Sequence, residues 1–313
     1  MIPLLVLGEE DVRRLLPLDE LADALKVALV ATSEGRASVP ARIAATTRSG
    51  WVGAMPGFVP GLGLAAKLVS VFPANRDQGM PSHRALLAVF DDKTGTPVAL
   101  LGAEHLTAIR TALTAVIAAR ALMPEEAGDV AVLGAGAQGE AHVVALGHAL
   151  AGRRLRLWSR DAQAAAELAR RRRVDAVLCG SAEEAVRGAS VVFCCTDARS
   201  PVVEDDWVAA GVHVSSVGSG AELPGALLER SRVVVEHRDA AGPPPAGAPE
   251  LQGWDPASLI ELGEILSGRS PGRRSRDEIT VYKSTGHASE DVAAAAVVLR
   301  RAARLGAGTT VEL

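Results

Sequence analysis

This chain of 313 residues has few aromatic residues and no strong excess of charge of either sign. Aromatic side chains make up only 3% of the sequence, which favours an aliphatic substrate over one that stacks on rings. The formal net charge of −4 is small for this length, so the chain offers no electrostatic attraction to nucleic acid. We therefore expect a protein with no nucleic-acid partner.

Cysteine and long apolar runs are also in short supply. The three cysteines, Cys179, Cys194 and Cys195, show no metal-ligand spacing, and we predict that they are small buried side chains and that the chain holds no metal. The first residues lack the basic region and apolar stretch of a signal peptide, and no run reaches the length of a membrane span. These absences predict a cytoplasmic protein with no membrane partner.

The order of apolar segments predicts the fold. At 313 residues the chain exceeds the usual size of one hydrophobic core, so we expect two domains. Between about residues 127 and 236, strand-like runs alternate with helical stretches rich in Ala and Leu, which predicts an α/β fold with a Rossmann-type doubly wound parallel sheet. The predicted strands are 130–134, 155–158, 174–178, 190–195, 212–217 and 232–236. Elsewhere we predict a helix near 18–34, a loop at 241–249, and strands at 41–46, 64–72, 84–91 and 97–101.

A glycine motif follows the first strand of that series. Residues 130–139 read Val-Ala-Val-Leu-Gly-Ala-Gly-Ala-Gln-Gly, a buried strand that turns through G-x-G-x-x-G into a helix. Gly134 permits the tight turn, Gly136 lets the backbone approach phosphates, and Gly139 lets helix and strand pack closely. The helix N-terminus faces the negative charge of the pyrophosphate, so the motif predicts a dinucleotide site. The other residues of this turn predicted to contact the cofactor are Ala137 and Gln138.

The end of the next strand predicts which dinucleotide binds. This strand, 155–158, ends at Ser159 and Arg160, where a site selective for NAD usually places an acid on the ribose 2′-hydroxyl. Arg160 carries a guanidinium that suits a 2′-phosphate, so we predict NADP(H), with NAD(H) as the alternative. In a second interpretation Arg160 is a solvated surface charge and Asp161 is the N-cap of the following helix.

Three cations in the N-terminal part lie in apolar surroundings. Arg42 follows Pro-Ala, Lys67 interrupts a strand-like apolar run, and Arg110 lies within Leu-Thr-Ala-Ile-Arg-Thr-Ala. A charge inside an apolar run is costly unless it is paired or faces a cleft. Lys67 could also point to solvent from an alternating strand, and each cation alone is more often ion-paired than a ligand contact. Together with a nucleotide fold, the three cations indicate a carboxylate substrate.

Several blocks, in order along almost the whole chain, carry a family resemblance. They are Gly63-Leu-Ala-Ala-Lys67, Met80-Pro-Ser-His83, Thr94-Gly-Thr-Pro97, Leu106-Thr-Ala-Ile-Arg-Thr111, Gly134-Ala-Gly-Ala-Gln138, Glu261-Leu-Gly-Glu264, Ile279-Thr-Val-Tyr-Lys-Ser284 and Gly286-His-Ala-Ser-Glu-Asp291. With these blocks the sequence resembles the ornithine cyclodeaminase and mu-crystallin family. The resemblance implies that residues 1–120, completed by a helix over 288–313, form a discontinuous α+β substrate-binding and dimerisation domain. It also implies that residues 121–287 form the NAD(P)-binding domain and that the protein is a homodimer.

The resemblance further implies roles for individual residues. Arg42 and Lys67 would hold the substrate carboxylate, with Lys67 close to the reacting carbon. Arg110, with His83 nearby, would reach the cofactor phosphates and the substrate side of the nicotinamide. Further cofactor-contacting positions are Thr196, Val217 and Ser284. Alternatively, His83 is an ordinary core or loop histidine and Ser284 a capping or turn hydroxyl.

One region departs from the members that cyclise ornithine. Those members carry an acid in a Gly-Asp-x-Pro-Gly-Lys stretch after the fifth strand, where it handles the amine proton. Here residues 216–228 read Ser-Val-Gly-Ser-Gly-Ala-Glu-Leu-Pro-Gly-Ala-Leu-Leu, and one alignment puts Glu222 in the place of that acid. The other alignment treats Glu222 as the later Glu of a Glu-Leu-Pro element, with a deletion before it. We prefer the second, which shortens the loop beside the nicotinamide.

The resulting expectation is an NADPH-dependent reductase of cyclic ketimine carboxylates, such as Δ1-pyrroline-2-carboxylate or Δ1-piperideine-2-carboxylate, that yields L-proline or L-pipecolate. Proton transfer could fall to water, to Glu222 or to a neutral Lys67, so Lys67 and Glu222 are the candidate catalytic residues. The alternative enzyme is an ornithine or lysine cyclodeaminase or an alanine-type dehydrogenase. From a different class comes a non-catalytic NADPH-bound ligand-binding protein of mu-crystallin type.

Overall fold

The chain folds into two compact units, of which the first is discontinuous in sequence. A computed structural model describes residues 2–313, and the side chains of all of these except residues 76 and 77. The first unit runs up to Arg110 and includes His287–Leu313, and the second is Thr111–Gly286. The boundary expected between residues 120 and 121 lies further along the same helix, Glu104–Leu122. The roles expected of the two units stay predictions.

The N-terminal part supplies most of a mixed sheet. Its elements are β1 (Pro3–Leu7), α1 (Glu9–Leu15), α2 (Leu18–Ser33), β2 (Ile43–Thr46), β3 (Trp51–Val59), β4 (Gly63–Val71), β5 (His83–Phe90), β6 (Pro97–Gly102) and α3 (Glu104–Leu122). Residues in β3 to β5 alternate between buried and more exposed positions, as expected of strands with one face on a core. The predicted helix and four predicted strands of this region are confirmed, whereas β1 and β3 were not expected.

The second unit is built on a parallel sheet. Its elements are β7 (Val130–Leu133), α4 (Ala137–Ala149), β8 (Leu155–Trp158), α5 (Ala162–Arg172), β9 (Ala176–Leu178), α6 (Ala182–Arg187), β10 (Val191–Cys194), β11 (His213–Ser216), α7 (Gly225–Glu229), β12 (Arg232–Val235), β13 (Ile260–Glu261), α8 (Leu262–Leu266) and β14 (Thr280–Lys283). The sheet order is β13-β12-β14-β11-β10-β7-β8-β9. All six strands predicted here are confirmed, so the Rossmann-type fold class is confirmed. The predicted loop at 241–249 lies between two short 3-10 turns.

The C-terminal residues return to the first unit as α9 (Ala288–Leu305) and β15 (Thr309–Glu312). They complete a sheet in the order β15-β1-β6-β5-β4-β3-β2. Helix α9 packs on α2 and on strands β3 and β4, and thereby covers one face of this sheet. In the part of the chain that the structure describes, no helix combines the length and apolar composition needed to cross a membrane.

The prediction that the cysteines are small buried side chains is confirmed. The three cysteines are free thiols and all are buried, as expected of small core side chains. Burial raises the pKa of the Cys194 thiol well above its usual range, so this thiol stays protonated and unreactive at neutral pH. The basic run that ends α5 lies at the helix C-terminus, where cations complement the helix dipole.

Candidate active site

Lys67 lies on the inner face of the mixed sheet. Strand alternation places Ala65 and Lys67 of β4 on the face that α9 covers, and Lys67 is only 1% exposed. The start of α9 can approach this face because a glycine lies opposite it: a Cβ added at Gly57 would lie 3.2 Å from the Cβ of Ala288. The alternative in which Lys67 points to solvent is therefore wrong.

Two cations and two carboxylates meet at this point, and we call Lys67, Arg110, Glu290 and Asp291 the ion quartet. Lys67 Nζ lies 3.0 Å from Asp291 Oδ1 and 2.8 Å from Oδ2. Arg110 Nε donates to the same Oδ1 at 3.0 Å, and its Nη1 forms a short contact with Glu290 Oε2. All four side chains are at most 3% exposed. The quartet thus balances two positive charges with two negative ones in a buried setting.

The environment of the ion quartet changes the acidity of its members. Burial disfavours the ammonium of Lys67 and lowers its pKa to about 8, although the charge of Asp291 acts in the opposite direction. Burial alone would raise the pKa of Asp291, but the charges of Arg110 and Lys67 outweigh it and lower that pKa. Lys67 can therefore exchange a proton near neutral pH beside an ionised carboxylate.

Two elements position Arg110 at the quartet. Arg110 lies on α3, and Glu9 caps the start of that helix by accepting from the backbone N–H groups of Glu104 and His105 at 2.7 and 3.0 Å. The acids lie in the first turn of α9, where negative charge interacts favourably with the helix dipole. This arrangement joins residues from three distant parts of the sequence.

The other two predicted residues of the first unit lie elsewhere on its sheet. Arg42 is half-buried in the segment that leads into β2, and its Nε is enclosed by protein. His83 is exposed at the start of β5, with Nδ1 3.0 Å from the hydroxyl of Ser82. The His83 ring is therefore not a core side chain.

In the second unit, the glycine turn has the geometry that a dinucleotide requires. Gly134 has a φ of +110°, which L side chains rarely adopt. A Cβ at Gly139 would lie 1.9 Å from the Gly134 carbonyl oxygen, so the fold itself demands glycine there. Gly136 is different: its φ of −79° suits any residue, and a Cβ there would meet nothing within 4 Å.

The space at Gly136 fits a ligand. Since neither strain nor packing requires glycine at this position, the open side of the turn is left for a group that approaches the backbone closely. The N-terminus of α4 begins here, and Ala137 and Gln138 form its first turn. Gln138 Oε1 is buried and has no hydrogen-bond partner in the described residues, so it is available to a ligand. The open turn and the N-terminus of α4 fit a bound nucleotide pyrophosphate, whereas Gln138 Oε1, an acceptor, suits a hydroxyl donor of such a ligand.

The end of β8 lies beside this turn, because the Gly134 N–H donates to the Trp158 carbonyl at 2.8 Å. Ser159 is half-buried and Arg160 is exposed at the strand end. Asp161 accepts from the backbone N–H groups of Gln163 and Ala164 and so caps α5. The acid nearest the expected ribose position is thus used by the helix, and the adjacent Arg160 is left for a ligand or solvent.

The remaining predicted residues lie at the carboxyl edge of the parallel sheet. Thr196 follows β10, and Val217 follows β11 and donates to the Cys194 carbonyl at 3.1 Å. The Ser284 hydroxyl donates to Glu236 in a short contact, so it is not a helix cap. Glu222 is fully buried, with each carboxylate oxygen accepting two hydrogen bonds.

Several buried charges of the site were not predicted from the sequence. They are Glu236, Glu250, Lys283, Glu290 and Asp291. Lys283 could have been found by extending the criterion that selected Lys67 to strand ends, because it ends the buried strand-like run 280–283. Glu290 and Asp291 look like ordinary first-turn acids of a helix, and no pattern shows which cations they meet.

Comparison with known proteins identifies the class to which this fold and site belong. The family model of the ornithine cyclodeaminase/mu-crystallin family matches residues 4–305, so the chain belongs to that family. The ketimine reductase mu-crystallin of Mus musculus is 33% identical over 254 residues, which cover 80% of each protein. The resemblance expected from the motifs is thereby confirmed, and the expectation of an enzyme acting on carbon–nitrogen bonds is confirmed at the level of the family.

Solved structures agree with this assignment. The Δ1-pyrroline-2-carboxylate reductase of Thermococcus litoralis, in complex with NADH and L-proline, superposes with a TM-score of 0.92 at 27% identity, covering 98% of this chain and 100% of that one. An archaeal alanine dehydrogenase dimer with bound NAD gives a TM-score of 0.88 at 28% identity, covering all of both chains. Both relatives carry an NAD-type nicotinamide cofactor.

Proposed function

We propose that this protein reduces cyclic ketimine carboxylates, such as Δ1-pyrroline-2-carboxylate and Δ1-piperideine-2-carboxylate, to L-proline and L-pipecolate, with NADPH preferred over NADH. The observation that carries the proposal is Lys67, a buried lysine with a pKa of about 8 held against Asp291 and Arg110. A group with this acidity can protonate an imine nitrogen near neutral pH. The names and activities of the relatives support the same chemistry.

We propose for the cations of the first unit the roles that the family resemblance implies. Arg42 binds the substrate carboxylate together with Lys67. Arg110 holds the carboxylates of Glu290 and Asp291 in place and, with His83, contributes to cofactor binding.

The second unit would hold the cofactor. The turn of Gly134, Gly136 and Gly139 and the helix behind it would bind the pyrophosphate, and Arg160 would bind the 2′-phosphate. Thr196, Val217 and Ser284 would border the nicotinamide. When bound, the reduced nicotinamide supplies the hydride that the C=N carbon accepts. The chain's own task is to orient the imine and to deliver a proton from Lys67 Nζ to its nitrogen.

The environment of Glu222 favours this activity over cyclodeamination. A cyclodeaminase needs an acidic residue that handles the amine proton, and Glu222 is the candidate for that task. Its two oxygens already accept four hydrogen bonds from the protein, which leaves no lone pair for a substrate.

We also propose a homodimer formed through the open face of the mixed sheet. Opposite α9, this face presents apolar side chains from neighbouring strands: Ile43 (69% exposed), Val52 (44%), Leu68 (42%) and Leu86 (40%). A contiguous exposed apolar patch of this kind marks an interaction site. A second copy is the natural partner, because one of the relatives is a dimer.

The test is consumption of NADPH, and separately of NADH, by the purified protein with each of the two cyclic imines. We expect turnover that is faster with NADPH. Lys67→Met should abolish turnover and leave NADPH affinity unchanged, because it removes the proton donor and not the cofactor site. Unchanged turnover in Lys67→Met would contradict the role of Lys67. Release of ammonia from L-ornithine without net use of cofactor would instead identify a cyclodeaminase.

A further inference from the structure

The two loops that follow β10 and β11 are locked together without space between them. A Cβ at Gly218 would lie 2.7 Å from the Thr196 carbonyl oxygen, and one at Gly220 would lie 2.0 Å from the carbonyl oxygen of Ala198. Any larger residue at either position would push the loops apart. The backbone of 217–220 therefore packs directly against residues 196–198.

The buried carboxylate of Glu222 connects these two loops through hydrogen bonds. Its Oε1 accepts from the backbone N–H of Thr196 at 2.7 Å and from the hydroxyl of the same residue at 2.6 Å. Its Oε2 accepts from the Ser216 hydroxyl at 2.7 Å and from the backbone N–H of Gly218 at 2.8 Å. One carboxylate thus joins the ends of two neighbouring parallel strands.

Lys283 supports the same loops from the end of β14. Its Nζ donates to the Ser216 hydroxyl at 3.0 Å and to the Gly218 carbonyl at 2.8 Å, and it pairs with Glu250 at 3.1 Å. Glu250 in turn accepts from the backbone N–H of Glu222 at 2.8 Å. Because the carboxylates and the lysine are buried and hydrogen-bonded to one another, the loop geometry is held rigidly.

This locked edge borders the glycine turn. A Cβ at Gly134 would lie 2.6 Å from the Cys195 carbonyl oxygen and 3.3 Å from the Thr196 methyl group. The sheet order reverses here, since β8 and β9 lie on one side of β7 while β10 and β11 lie on the other. Open parallel sheets bind their ligands at the carboxyl ends of the strands, next to such a reversal.

We infer that Glu222, with Lys283 behind it, is a positioning residue that holds Thr196 and the backbone of 217–220 as the wall against which the nicotinamide end of the cofactor lies. The inference depends on the proposed function only in assigning a nicotinamide dinucleotide to this unit. It gives Glu222 a role through hydrogen bonds to the protein and not as a proton donor. It also explains how the loop of residues 217–220 is held in place, because Glu222 accepts from the backbone N–H of Gly218 and Lys283 donates to the carbonyl of the same residue.

The test separates the nicotinamide end of the cofactor from the rest. Calorimetry would compare NADPH with 2′-phospho-ADP-ribose, and NADH with ADP-ribose, on the wild type and on Glu222→Gln. The amide keeps the shape but turns an NH2 group toward N–H and O–H donors. We expect the intact cofactors to bind about tenfold more weakly, because hydrogen bonds to a charged group are lost. The fragments should keep their affinity within about twofold, because they lack the nicotinamide.

Two further variants keep the result interpretable. Glu278→Gln is the matched control: that carboxylate accepts from the backbone and side chain of Arg274 before β14, at the opposite edge of the sheet. It should change neither affinity. Ser216→Ala removes only the hydroxyl between Lys283 and Glu222, and should give a smaller loss with the same preference for the intact cofactors, even where Glu222→Gln does not fold.

In Glu222→Gln and Ser216→Ala, equal weakening of cofactor and fragment, or no weakening of either, would overturn the inference. So would a wild-type protein that binds neither member of either pair. A wild type that binds NADPH and shows the expected asymmetry on substitution, but turns over no cyclic imine, would uphold the inference while contradicting the proposed reductase activity.

Discussion

Replacing Asp291 with asparagine tests the link between the ion quartet and proton transfer. The substitution removes the negative charge that lies 2.8 Å from Lys67 Nζ in a buried setting. That charge raises the pKa of Lys67, which stands at about 8 because burial lowers it more strongly. A buried opposite charge at this distance is worth about 1–3 pH units, so the pKa of Lys67 should fall by about that amount in Asp291→Asn.

The expected consequence is a shift in the pH profile of the reaction. If protonated Lys67 is the donor, the wild-type rate falls as pH rises through about 8, because the ammonium is lost. In Asp291→Asn the same fall should occur about 1–3 pH units lower, so that activity at neutral pH is weak and recovers in acid. Rates of NADPH oxidation at saturating imine across the pH range provide the assay. A fall that stays near its wild-type position in Asp291→Asn would refute the assignment.

A control separates this effect from a loss of stability. Breaking a buried ion pair costs about 3–5 kcal/mol, so thermal unfolding of each variant must be measured alongside. Glu290→Gln is the matched variant. Glu290 lies on the same turn of α9 as Asp291 and also pairs with Arg110, but its charge affects the pKa of Lys67 less than that of Asp291 does. This variant should destabilise the protein comparably while moving the pH profile much less.

Three further predictions follow from the sites described above. Arg160→Ser should weaken NADPH binding about tenfold and leave NADH binding unchanged, since only the 2′-phosphate loses a partner; equal effects on both cofactors in a titration would remove Arg160 from the site. Gly136→Ala should have the melting temperature of the wild type but a lower affinity for the cofactor. Gly139→Ala, whose Cβ would lie 1.9 Å from a carbonyl oxygen, should lower the melting temperature. A destabilised Gly136→Ala would contradict the explanation that a ligand requires this glycine. Leu68→Asp should yield monomers by light scattering, and Leu178→Asp, at a position that is slightly more exposed but lies in the second unit, should not.

The parallel sheet could be predicted because the sequence pattern that specifies its strands is local. Strands buried on both faces form continuous apolar runs, and each such run between 130 and 236 became a strand. Strand β3 was not predicted because its sequence contains Gly53, Pro56 and Gly57, which usually indicate a turn. At Gly57 the absence of a side chain is needed because α9 approaches closely there, a contact between residues more than 200 positions apart. No local pattern contains that information.

For the candidate site too, local features could be predicted from the sequence and long-range contacts could not. An isolated charge in an apolar run is visible in sequence, and that signal selected Lys67 and Arg110. Their partners are not visible, because Asp291 lies 224 residues from Lys67 and 181 from Arg110. The balance of charge at the site, and hence the acidity of Lys67, depends on tertiary structure alone.

The position of Glu222 shows why a single residue type cannot decide the chemistry of this family. Aligned by sequence, the same glutamate stands either for a proton-handling acid or for part of the Glu-Leu-Pro element. Its four hydrogen bonds favour the second alignment, because a carboxylate bound in this way holds backbone in place and has no lone pair left for an amine. Reduction of an imine does not need a second acid, since Lys67 already carries a proton that it can release near neutral pH. If the proposed reductase activity is correct, an additional acid introduced into the loop of residues 217–220 should not by itself produce release of ammonia from ornithine.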